Sequence, residues 1–222
     1  MENDTTLPNL EPAGQRLTLQ EDIYRQLRAQ LMGGGFVPGQ SFTVRSIAET
    51  VGTSPMPVRE ALRRLASDRA VEIMPNGTSR VRLLTSRQAA ELMDLRLTLE
   101  GRAARQAATA IDADAIDRLE ELAETNLKDL NARDVSAAAR SNQAFHFRLY
   151  QAAGNSELLI IVENLWVQMG PTLMEFMLKA AGEGSDLAHL SVAHFDIVRA
   201  LRAADGAGAE AALRQDLGSV PI

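Results

Sequence analysis

Residues Thr43 to Leu83, TVRSIAETVGTSPMPVREALRRLASDRAVEIMPNGTSRVRL, constrain the fold of this chain more than any other stretch. Ile47, Ala48 and Val51 recur at helical spacing and predict one buried stripe, with Arg45 and Glu49 off it. Thr43 is placed to cap this helix, and Gly52 to end it, because a left-handed backbone costs glycine little. Ser54 then offers a hydroxyl to the next helix, and Pro55 or Pro57 is tolerated only in a first turn. The second helix is therefore expected to start near residue 55, with Val58, Leu62 and Leu65 on the core side. Arg59 and Arg63 share another face, flanked by Arg64. Val71, Ile73, Val81 and Leu83 alternate with polar residues around Asn76-Gly77, a strong short-hairpin signal, which places Arg80 and Arg82 on or beside a two-stranded ribbon.

Helix, tight turn, basic helix and Asn-Gly ribbon, in that order, predict a winged helix-turn-helix. An isolated arginine pair is ordinarily a solvated helix face. A cationic face on the helix after the turn is also what reading the major groove requires, since guanidinium pairs with guanine edges or with phosphate.

The segment PVREALRRL, preceded by VRSIAETVGTS and followed by a wing, resembles the GntR family of bacterial repressors, and the helical remainder resembles that family's FCD branch. The likeness covers nearly everything after about residue 18. It implies DNA contacts from Arg45, Ser54, Arg59 and the wing around Asn76, Gly77 and Arg80. Two departures stand out. Pro55 occupies the place of the relatives' turn arginine, and Gly77 comes one position earlier than their wing glycine, so an operator sequence does not carry over.

The rest of the chain reads in the same terms. Residues 1–17 are polar, with Pro8, Pro12 and Gly14 and no periodicity, and are expected to form a flexible tail. Thr18-Leu-Gln-Glu21 fits a capping box, and Ile23, Leu27 and Leu31 form the stripe of a first helix that Gly33-Gly34-Gly35 stops. Beyond Leu84 strand formers become scarce and helical periodicity continues. The chain thus divides into a winged domain at 18–84 and an all-helical domain at 85–222, with helices expected at 86–109, 113–130, 134–153, 155–180, 185–204 and 207–217. The fold class is mainly α: a winged helix-turn-helix followed by a six-helix, FCD-like bundle with room for a small ligand.

Charge agrees with this division. The chain carries a net charge of −6, yet residues 1–83 hold 10 arginines against 9 acids while 84–222 hold 13 basic against 20 acidic residues. Only the front part can face phosphate. Within 45–82 the count is 7 against 4, a weak footprint that pairing two copies would strengthen. Cysteine is absent, so no disulfide or thiolate-metal site can form. With no leader pattern and no apolar run of about 18 residues, neither export nor a membrane span is expected, which points to the cytoplasm.

Candidate ligand residues all lie in the helical part. His146 follows Asn142 by one helical turn, His194 lies on a later helix, and Asp216 lies 22 residues further on. The resemblance implies a divalent-metal site at these positions, where the family has an Asp-x3-His pair, a later His and a final His. Here Asn142 replaces the aspartate and Asp216 the last histidine. Imidazole, carboxylate and amide oxygen remain acceptable to zinc or nickel, with weaker binding expected. For a lone helical histidine a hydrogen-bonded core position is the plainer alternative, and His189 is expected at the surface or a pocket rim. Arg96 resembles the family arginine that meets an effector carboxylate, which would make Arg96, Asn142, His146 and His194 an effector site. Its alternative is an i, i+4 pair with Glu100 on a wet face. Trp166, Met169, Leu173 and Met177 could line a cavity or simply pack.

The expected function is a homodimeric DNA-binding transcriptional regulator, a repressor, whose binding to a palindromic operator a small organic acid controls. Two rival classes are a metal-dependent enzyme using His146, His194 and Asp216, which leaves residues 43–83 unexplained, and a ligand-free architectural DNA protein.

Overall fold

Side-chain caps set where most of the helices begin. The computed structural model describes residues 18–220, so the expected tail at 1–17 lies outside the described residues. Thr18, Thr43, Thr85, Asp112, Asp134, Asn155 and Asp205 each accept a backbone N–H from the first turn of the helix that follows. The helices are α1 Leu19–Met32, α2 Val44–Val51, α3 Pro55–Ser67, α4 Ser86–Ala110, α5 Ala113–Asn131, α6 Val135–Ala152, α7 Ser156–Gly182, α8 Val192–Arg202 and α9 Gly206–Gly218. Thr43 and Thr85 form complete capping boxes with Ser46 and Gln88. The box expected at Thr18 is only half made, because the Glu21 carboxylate reaches Arg25 and Arg64 instead of turning back to the cap.

Three strands complete the front part: β1 Ser41–Thr43, β2 Val71–Ile73 and β3 Thr78–Val81, in the order β1-β3-β2 and antiparallel throughout. The expected ribbon is thus β2 and β3, and β1 adds a strand that three residues, SFT, are too short to announce. Gly77 takes the left-handed conformation (φ 81°) after Pro75-Asn76, and its N–H returns to the Met74 carbonyl. Asn76 Oδ1 accepts from both the Thr78 N–H and hydroxyl, locking the wing tip. Leu83 lies beyond the ribbon and is exposed, as is Ile73, because one face of this small sheet meets water.

The winged core is Ile23, Tyr24 and Leu31 from α1, Ala48 from α2, Val58, Ala61, Leu62 and Leu65 from α3, and Val71 and Val81 from the sheet. Two local expectations fail there. Val51 shares a face with Val44, Ile47 and Ala48 but is exposed, since it stands one turn beyond the packed core at the helix end. Ser54 occupies the cap position of α3 without making a capping hydrogen bond. Pro57 explains this: it stands at the third helical position, whose N–H the other caps of this chain accept, and has none to give.

Behind them α4 to α9 form a bundle whose core gathers Ala104 and Ala107, Phe145 and Tyr150, Trp166, Ile197 and Leu213. The helix expected at 185–204 is shorter. Arg133 donates to the carbonyls of Ala181, Gly184 and Ser185, holding that segment out of helix; a 3-10 turn at Ala188–Ser191 then leads into α8. The winged part rests on α7: Val167 is buried in the winged core, Arg28 of α1 donates to Glu163 and Asn164, and Arg82 donates to Gln168. Arg82 therefore faces the bundle, not the wing tip. No helix among the described residues is long and apolar enough to cross a membrane.

Candidate functional site

Two sites emerge, one in the winged part and one inside the bundle. The first is an open concavity where the start of α2, α3 and the wing come together, lined by Arg45, Arg59, Arg63, Asn76 and Gly77, with Thr43, Pro55 and Thr78 completing it. Arg45 pairs with Glu49 at 2.7 Å and Arg63 with Glu60 at 2.7 Å. Arg59 has no ion-pair partner among the described residues and is exposed. Ser54 stands exposed at the head of α3, its hydroxyl free of capping duty. Arg80 is drawn away from the concavity to Glu72 on β2, at 2.6 Å.

The second site lies inside the bundle. Asp216 of α9 sits between two histidines: His146 Nε2 is 3.2 Å from Asp216 Oδ2, and His194 Nε2 is 3.4 Å from Asp216 Oδ1. All three side chains are buried, and the three donor atoms lie within 4.8 Å of one another. Asn142 lies one turn before His146 and lines the same cavity, together with Arg96, His146 and Asp216.

The hydrogen-bond pattern fixes which nitrogen of each histidine carries the proton. Burial and then the charge of Glu100 push the Tyr150 phenol well above its ordinary pKa, so it keeps its proton. That proton goes to Glu100. The remaining lone pair faces His146 Nδ1 at 3.0 Å, so Nδ1 carries a proton, and Nε2 faces the Asp216 carboxylate. His194 repeats the logic. The Ser191 hydroxyl donates to the Ala123 carbonyl and accepts at 3.4 Å from His194 Nδ1. His194 Nε2 is buried and makes no hydrogen bond among the described residues. Burial lowers the His194 pKa to about 4, against the pull of Asp216, leaving the ring neutral at pH 7. Burial pushes the Asp216 carboxyl up, but His194, His146 and Arg96 outweigh it and hold the group below its usual value, an anion.

Two imidazole nitrogens and a carboxylate oxygen thus converge, a set that can hold a cation once the nitrogens are free of protons. The 3.2 and 3.4 Å separations match donor spacings around an ion whose bonds are about 2.1 Å long. Two imidazoles and a carboxylate suit zinc or nickel, and the amide of Asn142 is the neighbouring oxygen.

Glu100 holds the cavity-lining Arg96 in place. It is fully buried (0% exposed) and receives Arg96 Nε at 2.6 Å, Arg96 Nη2 at 3.3 Å, Trp166 Nε1 at 3.0 Å and the Tyr150 hydroxyl. The Arg96 guanidinium also lies 4.7 Å from the Trp166 ring centroid. The expected Arg96–Glu100 pair therefore exists, but in the interior and not on a wet face. Trp166 packs behind this pair, while Met169, Leu173 and Met177 line the cavity itself. His189 is exposed, its ring against the Asp186 carbonyl.

Comparison with known proteins accounts for both parts of the chain. A family model described as "Bacterial regulatory proteins, gntR family" matches residues 19–81, and one described as "FCD domain" matches residues 91–219, more than half of the chain. The HTH-type transcriptional regulator McbR of Escherichia coli K12 is 31% identical over 192 residues, 86% of this chain and 85% of its own length. A probable D-xylose utilization operon transcriptional repressor of Paenarthrobacter nicotinovorans is 31% identical over 204 residues, 89% of this chain and 85% of its own. The solved structure of E. coli McbR/YncC superposes with a TM-score of 0.85 at 28% identity, over 92% of this chain and 95% of that one.

The chain belongs to the GntR family, in its FCD branch.

A GntR regulator is a DNA-binding transcription factor and not an enzyme, so the metal-enzyme alternative falls. Sequence reasoning named Arg96, Asn142, His146, His194 and Asp216, and the fold gathers them. It passed over Glu100, Tyr150 and Ser191. The signal for the first two was present: Glu100 follows Arg96 by four residues and Tyr150 follows His146 by four, which puts each pair on one helix face.

Proposed function

We propose that this GntR regulator is a repressor that binds a palindromic operator as a homodimer in the cytoplasm, and that a small carboxylate-bearing metabolite, held with a divalent metal ion in the helical cavity, controls it. Arg45, Ser54, Arg59, Arg63, Asn76, Gly77 and Arg80 form its DNA-reading set, in a winged domain spanning 18–84. Residues 85–222 form the effector domain. Two winged domains would place half-sites about 10 bp apart or slightly less. A relative named as a repressor supports the sign of regulation.

The observation that carries the effector reading is the charge of the cavity. Arg96 is matched by Glu100 and His194 is neutral, so the Asp216 carboxylate is the charge that an incoming acid faces. An anion entering this site alone meets net repulsion. A divalent ion at His146, His194 and Asp216 reverses the sign, and in a partly desolvated cavity that attraction is larger than in water. Metal and acid are therefore coupled, and the direct capture of an acid by Arg96 alone is disfavoured.

Helix α7 links the two sites. Met169, Thr172, Leu173 and Met177 line the cavity, while Val167, Gln168 and Gly170 touch the winged part. Pro171, between these groups, withholds an N–H from the Val167 carbonyl one turn earlier and so weakens the helix there. A ligand that shifts this stretch shifts the seat of α1. Coupling is reciprocal, so an acid that weakens operator binding must itself bind more weakly to the DNA complex.

The test is operator titration of the purified protein with a panel of organic acids, before and after chelator treatment and zinc or nickel readdition. The expected result is an acid that changes operator affinity with metal present and loses its effect when metal is stripped. A panel without effect in every state, with no melting shift, would favour a ligand-free DNA protein.

A further inference from the structure

Resting on the reading of α3 as the helix that enters the DNA, we infer that Met56 at its head recognises the 5-methyl group of a thymine in the major groove. Met56 is 65% exposed, the highest value among the large apolar side chains of the described residues. It stands three residues before Arg59 and seven before Arg63, so the three share one stripe of α3, and Arg59 and Arg63 line the reading concavity with Arg45. Pro55 lines it too, and so does the exposed Ile73 of β2. The surface is thus cationic with an apolar knob at the point where the N-terminal residues of a reading helix meet base edges.

A helix head that grips phosphate does so through the free N–H groups of its first turn. Of the first three positions of α3, Pro55 and Pro57 have no N–H, which leaves that of Met56 alone. A phosphate placed against this head would give up water to a proline ring and a thioether, with little in return. Among the groups that base pairs present in the major groove, the thymine 5-methyl is the apolar one. It loses nothing against Met56, and both surfaces gain by leaving water. The unbranched methionine side chain has three rotatable bonds with which to reach it. A second copy of the same face is a poor occupant, because it would set Arg59, which no acid among the described residues pairs, against its own counterpart.

Uracil presents the same hydrogen-bonding groups as thymine and lacks only that methyl, so it is the probe. Full-length protein selects from a random-core DNA duplex library copied once with thymine and once with uracil, and the bound molecules are sequenced. At one position of each half-site the preference for thymine is expected to fall about fourfold in the uracil library, the worth of burying one carbon group. Met56→Ala is expected to erase the same preference from the thymine library, and Met56→Leu, which keeps an apolar side chain of similar volume, to retain it. Neither variant should move the melting temperature, since the side chain is exposed. Equal selection from the two libraries, or a thymine preference that Met56→Ala leaves whole, overturns the inference while leaving the reading of α3 intact. Light scattering on the same samples covers the other occupant: self-association lost in Met56→Ala assigns the side chain to a second copy and overturns the inference too. Enrichment that Arg59→Ala leaves unchanged, or no enrichment by the wild type, removes the reading of α3 and this inference with it.

Discussion

Gly170 of α7 lies directly against the Leu31 carbonyl of α1, so close that a Cβ at 170 would overlap that oxygen and stand 3.0 Å from Met32 Cα. Both obstacles are backbone, which cannot rotate away. Gly170→Ala is expected to force the two helices apart at a cost of about 1–3 kcal/mol, the range for overpacking a tight contact. Thermal melts would show the loss. Operator titration of the folded variant should show a blunted response to ligand, because the seat of α1 on α7 is what has changed. A variant with wild-type melting and response would show that α1 and α7 do not stay in contact.

Arg59 is the arginine of the reading concavity that no acid among the described residues neutralises, whereas DNA must first displace Glu49 from Arg45 and Glu60 from Arg63. Arg59→Ala is expected to weaken operator binding by about 1–3 kcal/mol if the side chain reaches a base edge. Arg45→Ala should weaken it less, since an exposed ion pair is worth little and its loss frees Glu49. Neither change should move the melting temperature, because both side chains are exposed. Unchanged titrations for both would displace the reading surface from this concavity.

Glu100 is the counter-charge on which the buried Arg96 depends. Glu100→Gln removes that charge, leaves an interior guanidinium uncompensated and offers Tyr150 and Trp166 a weaker acceptor. A loss of about 3–5 kcal/mol is expected, as for breaking any buried pair from one side. Denaturant unfolding measures it. A loss under about 1 kcal/mol would mean that water reaches Arg96 and that the pair is not interior.

Acid should unfold the metal-free protein in a defined window. The His194 pKa is lowered by burial from 6.5 to about 4, so between those values the unfolded chain binds a proton that the folded one refuses. Stability therefore falls as pH drops from about 6.5 toward 4, by roughly 3 kcal/mol in total. The lowered Asp216 carboxyl adds a further loss below its ordinary 3.8. Chelator-treated protein melted across this range should show the slope, and His194→Ala should flatten it. Bound zinc should steepen it, because protons and metal compete for the same nitrogens. A flat profile in the stripped protein would place His194 in contact with water.

The amino-acid sequence by itself determined the winged motif and the bundle. Thr43, Gly52 and Thr85 act locally, as caps and a left-handed turn, and Val58, Leu62 and Leu65 repeat at the period of one helix face, so their roles can be read without knowing what they pack against. The family pattern likewise located Arg96, His146, His194 and Asp216. Ser54 shows where local reasoning breaks, because Pro57 removed the N–H at the third helical position that such a cap accepts. What lay beyond reach were relations between distant parts of the chain. β1 is three residues without a pattern and exists through its pairing with β3. Arg82 is one more wing arginine until Gln168, 86 residues away, accepts from it. The protonation of the site, and with it the case for a metal, depends on Glu100, Tyr150, Ser191 and Ala123 lying beside two histidines and an aspartate. A hydrogen-bond network is decided by which donors and acceptors share a buried space, and only the packing of α4, α5, α6, α8 and α9 against one another creates that space.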